Sequence, residues 1–348
     1  MRNKRHFVLI VLGWALAAGI ARSQDGGPGC GMRCRMMAPL PQVMISESNP
    51  LTEEKVDLGR MLYYEPRLSR SQSVSCNSCH PLSNYGADGK PVSPGHKGLT
   101  GSRNSPSVYN AAGHMAQFWD GRAADVEEQA KGPVTNPVEM AMPSEHSIIA
   151  VLQSMPEYVA AFHRAFPMEK DPVTFDNMAK AIGAFERRLV TPSRWDTYLR
   201  GDDRALSAEE QAGWREFMHT GCQTCHNGPY VGGSMHQKLG VQKPWPDASD
   251  LGRFQVTRLP ADRMVFKVAS LRNVEKTGPY FHNGKVASLE EAVRLMAEHQ
   301  LGARLSEPQA RSIAAWLKSL TGRIPAEYVR PPALPPSTAR TPKPDISD

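Results

Sequence analysis

Cys76-Asn77-Ser78-Cys79-His80 is the most informative stretch of this sequence. Two cysteines three positions apart, with a histidine directly after the second, form the attachment pattern of c-type haem. Each thiol adds to one vinyl group of the porphyrin, and the histidine becomes the proximal ligand of the iron. The pattern returns as Cys222-Gln223-Thr224-Cys225-His226. A single copy could be a disulfide or half of a zinc site, but two copies predict two covalently bound haem c groups.

The chain has 348 residues, enough for about two domains. Its first 23 residues have the features of a secretory signal: a basic start, an apolar run over residues 7–20, and Ala21 and Ser23 before a cleavage site. An uncleaved N-terminal anchor is the alternative. Because bacteria attach haem c outside the cytoplasm, the sequence predicts a periplasmic protein.

The charge of the chain does not indicate a nucleic-acid partner. The formal net charge is +6, and the predicted signal holds four basic residues and no acid, which leaves +2 for the remaining chain. Haem propionates would lower this further. No basic run interleaved with aromatic residues is present, so nucleic-acid binding is not expected.

The pattern of helices and loops predicts a mainly α fold with two cytochrome c-like helical haem domains. Residues 51–200 and 201–325 would each hold helices, one haem motif and a long loop rich in glycine and proline. Residues 24–50 are rich in glycine, proline and methionine and are predicted to be a flexible linker. The proline-rich tail, residues 326–348, is predicted to be disordered.

Caps and periodicity predict the individual helices. Thr52 is a candidate cap for the first, and Ser207 with Glu210 forms a capping box before the second haem motif. The other signals are the apolar periodicity of residues 174–190, the box formed by Ser288 and Glu291, and a last helix from about 306 to 320.

Two further cysteines, Cys30 and Cys34, lie in the predicted linker, and no histidine follows them. They do not form a third haem motif. They could form a disulfide, or join the nearby methionines in a site for Cu(I), which prefers thiolate and thioether ligands.

Residues 51–325 resemble the bacterial di-haem cytochrome c peroxidases. The motifs that carry this resemblance are Cys-Asn-Ser-Cys-His at 76–80, Gln-Phe-Trp-Asp-Gly-Arg-Ala at 117–123, Gln-Ala-Lys-Gly-Pro-Val at 129–134, Val-Glu-Met at 138–140, Pro-Tyr-Phe-His-Asn-Gly-Lys at 279–285 and Gln-Leu-Gly at 300–302. The resemblance implies reduction of hydrogen peroxide to water with electrons from a small donor protein, a cytochrome c or a cupredoxin. It also implies a homodimer.

The resemblance assigns roles around the first, peroxidatic haem. His96 matches the residue that caps its iron in the oxidised resting state. Glu139 matches the catalytic acid/base, and Gln129 and Pro133 match the rest of the distal pocket. Trp119 matches the tryptophan between the two haems.

At the second, electron-transfer haem, Met296 matches the distal ligand. Two strong axial ligands exclude peroxide from such a haem, and a methionine opposite a histidine raises its potential. His299 is the rival ligand. Met296 could also be an ordinary core residue of an apolar helix face.

The resemblance further implies a calcium ion held by Asn104, Thr277 and Pro279, with His282 as structural support nearby. The residues alone argue weakly for it, because one amide and a few carbonyls without an acidic cluster are a poor calcium signal.

Two other functions fit two haem motifs. A di-haem electron carrier would keep both irons six-coordinate and would leave Glu139 without a role. A di-haem oxidase of a protein substrate, like the enzyme that matures the cofactor of methylamine dehydrogenase, has a tyrosine where Met296 stands.

Overall fold

The computed structural model describes residues 36–347. The predicted signal and the pair Cys30 and Cys34 lie outside the described residues. Within residues 36–347, no helix has the length and apolar composition needed to cross a membrane.

The described part of the chain is mainly helical, which confirms the mainly α part of the predicted fold class. Its α-helices are α1 Glu53–Tyr64, α2 Cys76–Cys79, α3 Val126–Thr135, α4 Glu145–Gln153, α5 Pro156–Ala165, α6 Phe175–Glu186, α7 Arg194–Leu199, α8 Ala208–Thr220, α9 Phe254–Thr257, α10 Leu289–Met296 and α11 Glu307–Lys318. A π-helical turn, Ala297–Leu301, continues α10. Two short strands, β1 His236–Lys238 and β2 Val265–Lys267, pair in antiparallel register.

The predicted helix starts are confirmed by their caps. The Thr52 hydroxyl accepts the Lys55 amide at 3.2 Å at the start of α1. Ser207 and Glu210 form the full reciprocal box before α8. At α10, the Ser288 hydroxyl accepts the Glu291 amide at 3.2 Å, which is one half of the predicted box.

Two hydrophobic cores lie along the chain. The first is built by α1, α3, α4, α5 and α6, with Tyr63, Phe162 and Phe185 fully buried. The second is built by α7, α8 and α11 around Trp195, Trp214 and Trp316, whose ring centroids lie 4.9 to 5.3 Å apart.

A glycine sits at the centre of the main helix crossing in each core. A Cβ on Gly59 of α1 would overlap the Ala181 carbonyl of α6. A Cβ on Gly213 of α8 would overlap the Ser312 carbonyl of α11. The two helix pairs therefore cross with their backbones in contact, and the two halves share this construction.

The division between the cores differs from the predicted boundary after residue 200. Trp195, Tyr198 and Leu199 of α7 pack in the second core. The cause is the buried ion pair of Asp196 with Arg272, at 2.7 Å with both side chains fully inaccessible, which ties α7 to the second half of the chain.

The predicted flexible linker, residues 24–50, is packed where the structure describes it, from residue 36 onwards. Met37 is buried in the second core. The Leu40 amide donates to Asp196 Oδ1 at 2.7 Å, and the Met44 amide donates to the Arg187 carbonyl at 3.0 Å. Leu40 and Met44 are buried against Val190, so the methionine and leucine side chains of this segment supply apolar area that packs onto the rest of the chain.

The prediction that the tail, residues 326–348, is disordered is also wrong where the structure describes it. Residues 326–347 lie along the first core. The Tyr328 ring stacks on Phe185 at 5.1 Å, and Val329 and Thr341 are buried. The Tyr64 hydroxyl donates to the Val329 carbonyl at 2.6 Å. Proline-rich chain docks here through its carbonyl groups, which remain free acceptors without regular secondary structure.

We predict that Gly213→Ala lowers the free energy of unfolding by about 1–3 kcal/mol, because an added methyl must push α8 away from α11. Gly59→Ala should do the same in the first core. Denaturant titration of the haem-loaded protein measures the change. Arg215→Ala, on the exposed side of α8, is the control and should stay within about 0.5 kcal/mol of the parent. Equal stability of Gly213→Ala and the control would contradict the close crossing.

Candidate active site

The histidines of the two motifs are held in the same way. The Nδ1–H of His80 donates to the Gly86 carbonyl at 3.2 Å, and that of His226 donates to the Val231 carbonyl at 3.3 Å. Burial lowers the pKa of His80 and lowers the pKa of His226 to about 4. Burial therefore favours the neutral form of both imidazoles, and the tether through Nδ1 makes Nε2 the candidate nitrogen for a metal.

None of the four motif cysteines is joined in a disulfide. In each motif the histidine amide donates to the carbonyl of the first cysteine, His80 to Cys76 at 2.9 Å and His226 to Cys222 at 3.0 Å. The two motifs thus form the same tight turn. The disulfide alternative for these cysteines finds no support in this geometry.

A cavity lies beside the second motif, with mostly apolar walls. Cys222, Cys225, His226 and Met296 all line it. The predicted apolar face of α10 lines it too, through Leu289, Ala292, Val293 and Met296. Two thiols, an imidazole with a free Nε2 and a thioether around one apolar cavity form a donor set that fits a c-type haem with histidine and methionine ligands.

His299 lies in the π-helical turn that continues α10. It is buried, its Nδ1 contacts the Lys243 carbonyl at 3.0 Å, and its ring packs edge-on against Trp245 at 5.0 Å. It is not among the residues that line the cavity. Of the two candidate ligands, only Met296 faces the second motif.

His96 lies in a small loop, residues 94–100, which we call the His96 loop. Pro94 and Thr100 close it as an isolated bridge. The His96 side chain is only 4% exposed, and its Nδ1 is buried without a hydrogen-bond partner. Buried polar atoms of this kind are rare. Because this ring nitrogen lacks a hydrogen-bond partner, His96 has the features of a residue that binds a further group, such as an iron.

The His96 loop is attached to the segment that carries Glu139. The His96 amide donates to the Glu139 carbonyl at 2.7 Å. A Cβ on Gly95 would overlap the carbonyls of Val138 and Glu139, so only glycine allows this approach. The candidate cap and the candidate acid/base are therefore joined through their backbones.

Residues 129–140 form one wall of this site. Gln129 and Pro133 are four positions apart on α3 and share a face. The chain then turns back, and the Met140 amide donates to the Pro133 carbonyl at 3.1 Å. This turn joins the segment that carries Glu139 to the end of α3 through the backbone of Pro133.

The Glu139 carboxyl group lies in a partly apolar setting near the first motif. Burial raises its pKa, while the Arg122 charge and the Asn136 amide, which donates to Glu139 Oε1 at 2.8 Å, act in the opposite direction. Burial also raises the pKa of both Cys76 and Cys79, and Glu139 adds to that shift. Glu139 is therefore within electrostatic range of both thiols, with a pKa shifted in the direction that suits a general acid/base.

Trp119 lies where the two halves of the chain meet. Its Nε1–H donates to the Asn104 carbonyl at 2.9 Å, and its own carbonyl accepts the Lys267 amide at 2.8 Å. Its ring is edge-on to His282 at 6.4 Å. It also lines the cavity of the second motif.

The predicted calcium ligands Asn104, Thr277 and Pro279 line the same cavity. The backbone amide of Asn104 donates to the backbone carbonyl of His282 at 2.7 Å. Within the described residues no group of three or more histidine, cysteine, aspartate or glutamate side chains could hold a metal ion. A cation here would therefore depend on amide and carbonyl oxygens.

Comparison with known proteins gives the family. The family model described as di-haem cytochrome c peroxidase matches residues 53–204. Cytochrome c551 peroxidase of Pseudomonas aeruginosa is 48% identical over 89% of this chain and 90% of that protein. Cytochrome c551 peroxidase of Nitrosomonas europaea is 47% identical over 88% of this chain and 91% of that protein. This chain belongs to the di-haem cytochrome c peroxidase family.

A solved structure agrees with this assignment. The crystal structure of a MauG-like protein associated with microbial copper homeostasis matches with a TM-score of 0.74 and 28% identity, over 84% of this chain and 97% of that one. Membership of a di-haem family implies two haem groups, and the two motifs supply two sites for them.

Sequence reasoning missed three residues near these sites. The Asn136 side chain donates a hydrogen bond to the Glu139 carboxyl group. The sequence feature that could have identified it is its position in the Asn-Pro turn before Glu139. Lys267 is buried and His114 is half-buried, with Lys267 Nζ 3.4 Å from His114 Nδ1. Burial lowers the Lys267 pKa to about 8. The one signal for this pair was a lysine in a short apolar strand.

We predict that Gly95→Ala loosens the His96 loop, because its methyl group would collide with the Glu139 segment. An overpacking cost of about 1–3 kcal/mol corresponds to exchange of the His96 amide about five to 150 times faster. Hydrogen exchange of the peptide that contains residues 94–100 measures this. Gly101→Ala is the matched control, since a Cβ there meets nothing within 4 Å. Unchanged exchange in Gly95→Ala would contradict the close approach.

Proposed function

We propose that this protein is a cytochrome c peroxidase, which reduces hydrogen peroxide to water with electrons from a small periplasmic redox protein. The observation that carries the proposal is the junction of His96 and Glu139. A buried imidazole with an unpartnered nitrogen and a partly buried carboxyl group are held by one backbone hydrogen bond beside the first motif. An electron carrier would have no use for a proton carrier at this position.

Two covalent haem c groups, one for each hydrophobic core, complete the proposal. The first is bound through Cys76 and Cys79 with His80 as proximal ligand. The second is bound through Cys222 and Cys225, with His226 as proximal ligand. The tether of each imidazole through Nδ1 supports both assignments, because it orients the ring and makes it a better ligand.

The iron of the first haem, when bound, supplies the redox chemistry at peroxide. The chain supplies access and protons. His96 caps the resting site and leaves it when the site opens. Glu139 then takes a proton from one peroxide oxygen and returns a proton to the leaving oxygen, while the Gln129 amide and Pro133 shape the pocket. Two electrons and two further protons convert each peroxide to two waters.

Met296 is proposed as the distal ligand of the second haem. It lines the cavity and His299 does not. Methionine with histidine gives a high potential and closes the site to peroxide. Trp119, placed between the halves, shortens the electron path from this haem to the first.

A calcium ion is proposed at Asn104, Thr277 and Pro279. These residues come from both halves of the chain and line one cavity, and the Asn104 carbonyl accepts the Trp119 Nε1–H, so a cation bound by all three would fix the electron path between the haems. The ligands would be oxygen atoms, which Ca²⁺ prefers.

Three further proposals concern the setting of the enzyme. The secretory features of residues 1–23 support a periplasmic location. The donor is a small cytochrome c or a cupredoxin. The assembly is a homodimer, as the resemblance to the family implies.

We predict that Glu139→Gln slows peroxide turnover by about 10²- to 10⁴-fold, the usual worth of general acid–base help. Haem content and the potential of the second haem should be retained. Stopped-flow mixing of the half-reduced protein with hydrogen peroxide is the measurement. Glu157→Gln on exposed α5 surface is the control. If the half-reduced parent protein does not react with peroxide, the enzyme proposal fails.

We predict that Met296→His lowers the potential of the second haem, because imidazole replaces the thioether that favours reduced iron. Redox titration of the mature protein measures it. His299→Gln should leave that potential near its original value. A fall in His299→Gln together with no change in Met296→His would identify His299 as the ligand.

A further inference from the structure

The C-terminal segment has an anchored part that lies on the first core. Tyr328 stacks on Phe185 and donates its hydroxyl hydrogen to the Phe185 carbonyl at 2.7 Å. Farther on, the Arg67 side chain donates to the Pro335 carbonyl at 2.7 Å. Thr341 is 5% exposed and accepts the Ser154 hydroxyl at 2.9 Å. The chain is therefore fixed as far as Thr341.

Beyond Thr341 the contacts change in kind. Residues 342–347 are mostly exposed, and Ile346 keeps 72% of its surface accessible. Their contacts are polar: Gln72 Nε2 donates to the Pro342 carbonyl at 2.8 Å, and Arg70 binds Asp345 at 2.6 Å. Little apolar area is lost when this part separates, so its attachment depends on a few exposed polar contacts.

The end of this segment reaches the His96 loop. Lys97 Nζ, next to His96 in the chain, donates to the Ser347 carbonyl at 2.7 Å. The Asp345 amide donates to the Arg70 carbonyl at 2.8 Å, and the Arg70 amide donates to the Met140 carbonyl at 2.8 Å. Residues 342–347 therefore join the turn at Arg70 to the His96 loop, and both of these already bind the Glu139 segment.

The His96 loop is under backbone strain in this position. Lys97 has φ +55° and Gly98 has φ +75°. A lysine in the left-handed region costs about 1–2 kcal/mol relative to the ordinary conformations. Hydrogen bonds within the loop, such as that from the Gly95 amide to the Leu99 carbonyl at 2.7 Å, support this conformation, and the Lys97 contact with Ser347 adds a support at the strained residue itself.

We propose that residues 342–347 form a strap that keeps the His96 loop closed over the first haem site, so that release of the strap eases the departure of His96. The inference rests on the proposed role of His96 as a removable cap and adds a regulatory part to it. The strap is built for reversible release, because it is anchored at Thr341 and polar beyond it.

The test compares the full chain with a chain that ends after Thr341, and with Lys97→Gln and Asp345→Asn in the full chain. The first readout is the rate at which cyanide binds the first haem of the fully oxidised, haem-loaded protein. The second is hydrogen exchange of residues 94–100. Exposed polar contacts are each worth at most a factor of about five, so we expect both rates to rise about two- to tenfold in the shortened chain. The point variants should give part of this rise.

Two controls isolate the strap. Arg330→Gln removes an exposed ion pair with Glu327 in the anchored part, and it should leave both rates unchanged. Higher ionic strength should speed cyanide binding in the full chain more than in the shortened chain, because it screens the same contacts.

His96→Gly separates the strap from the function on which it rests. In that variant cyanide should bind fast, and shortening the chain should add nothing. If His96→Gly does not speed binding, the proposed cap is wrong, although loop exchange still tests the strap. If the shortened chain and Lys97→Gln match the parent in both rates while His96→Gly is fast, the strap is wrong and the cap stands.

Discussion

The fold depends on two helix crossings that leave no room for a side chain. At Gly59 and Gly213 one helix lies with its backbone against another, and the large aromatic residues of each core fill the space around the crossing. The glycine helix α8 leads through Gly221 into the motif at Cys222, and α1 leads through residues 65–75 into the motif at Cys76. The crossing therefore fixes where each motif begins, and the Nδ1 tethers of the histidines then fix how each imidazole is aimed.

A second set of contacts joins the candidate cap, His96, to the candidate acid/base, Glu139. His96 binds the Glu139 backbone, and Asn136 binds the Glu139 carboxyl group. On the proposed function, departure of His96 removes a backbone donor from the turn that carries the proton carrier. Opening the site and freeing the carboxyl group then become one movement, which keeps the acid/base held until peroxide has access.

Short sequence patterns predicted the helix caps and the haem motifs. They could not predict contacts between residues that are far apart in the chain. Ser207 caps a helix through a residue three positions away, and His80 directly follows its cysteines. Both roles could therefore be identified from residues that are adjacent or nearly adjacent in the sequence. The His114 and Lys267 pair is 153 positions apart. Tyr328 stacks on a ring from α6 within a proline-rich stretch whose composition alone suggested disorder. Docking surfaces for such segments are formed only when the core has folded.

The two sites differ in a way that argues for catalysis over electron carriage. The second site takes its candidate distal ligand from α10, a helix whose apolar face lines the cavity and offers no simple route for withdrawal. The first takes its candidate from a strained loop held by a few polar contacts. A carrier gains nothing from a ligand that leaves, since ligand loss adds reorganisation to every electron transfer. On the proposed function, one iron opens to peroxide and one stays closed, and the supports of the candidate ligands His96 and Met296 differ in the way that this division requires.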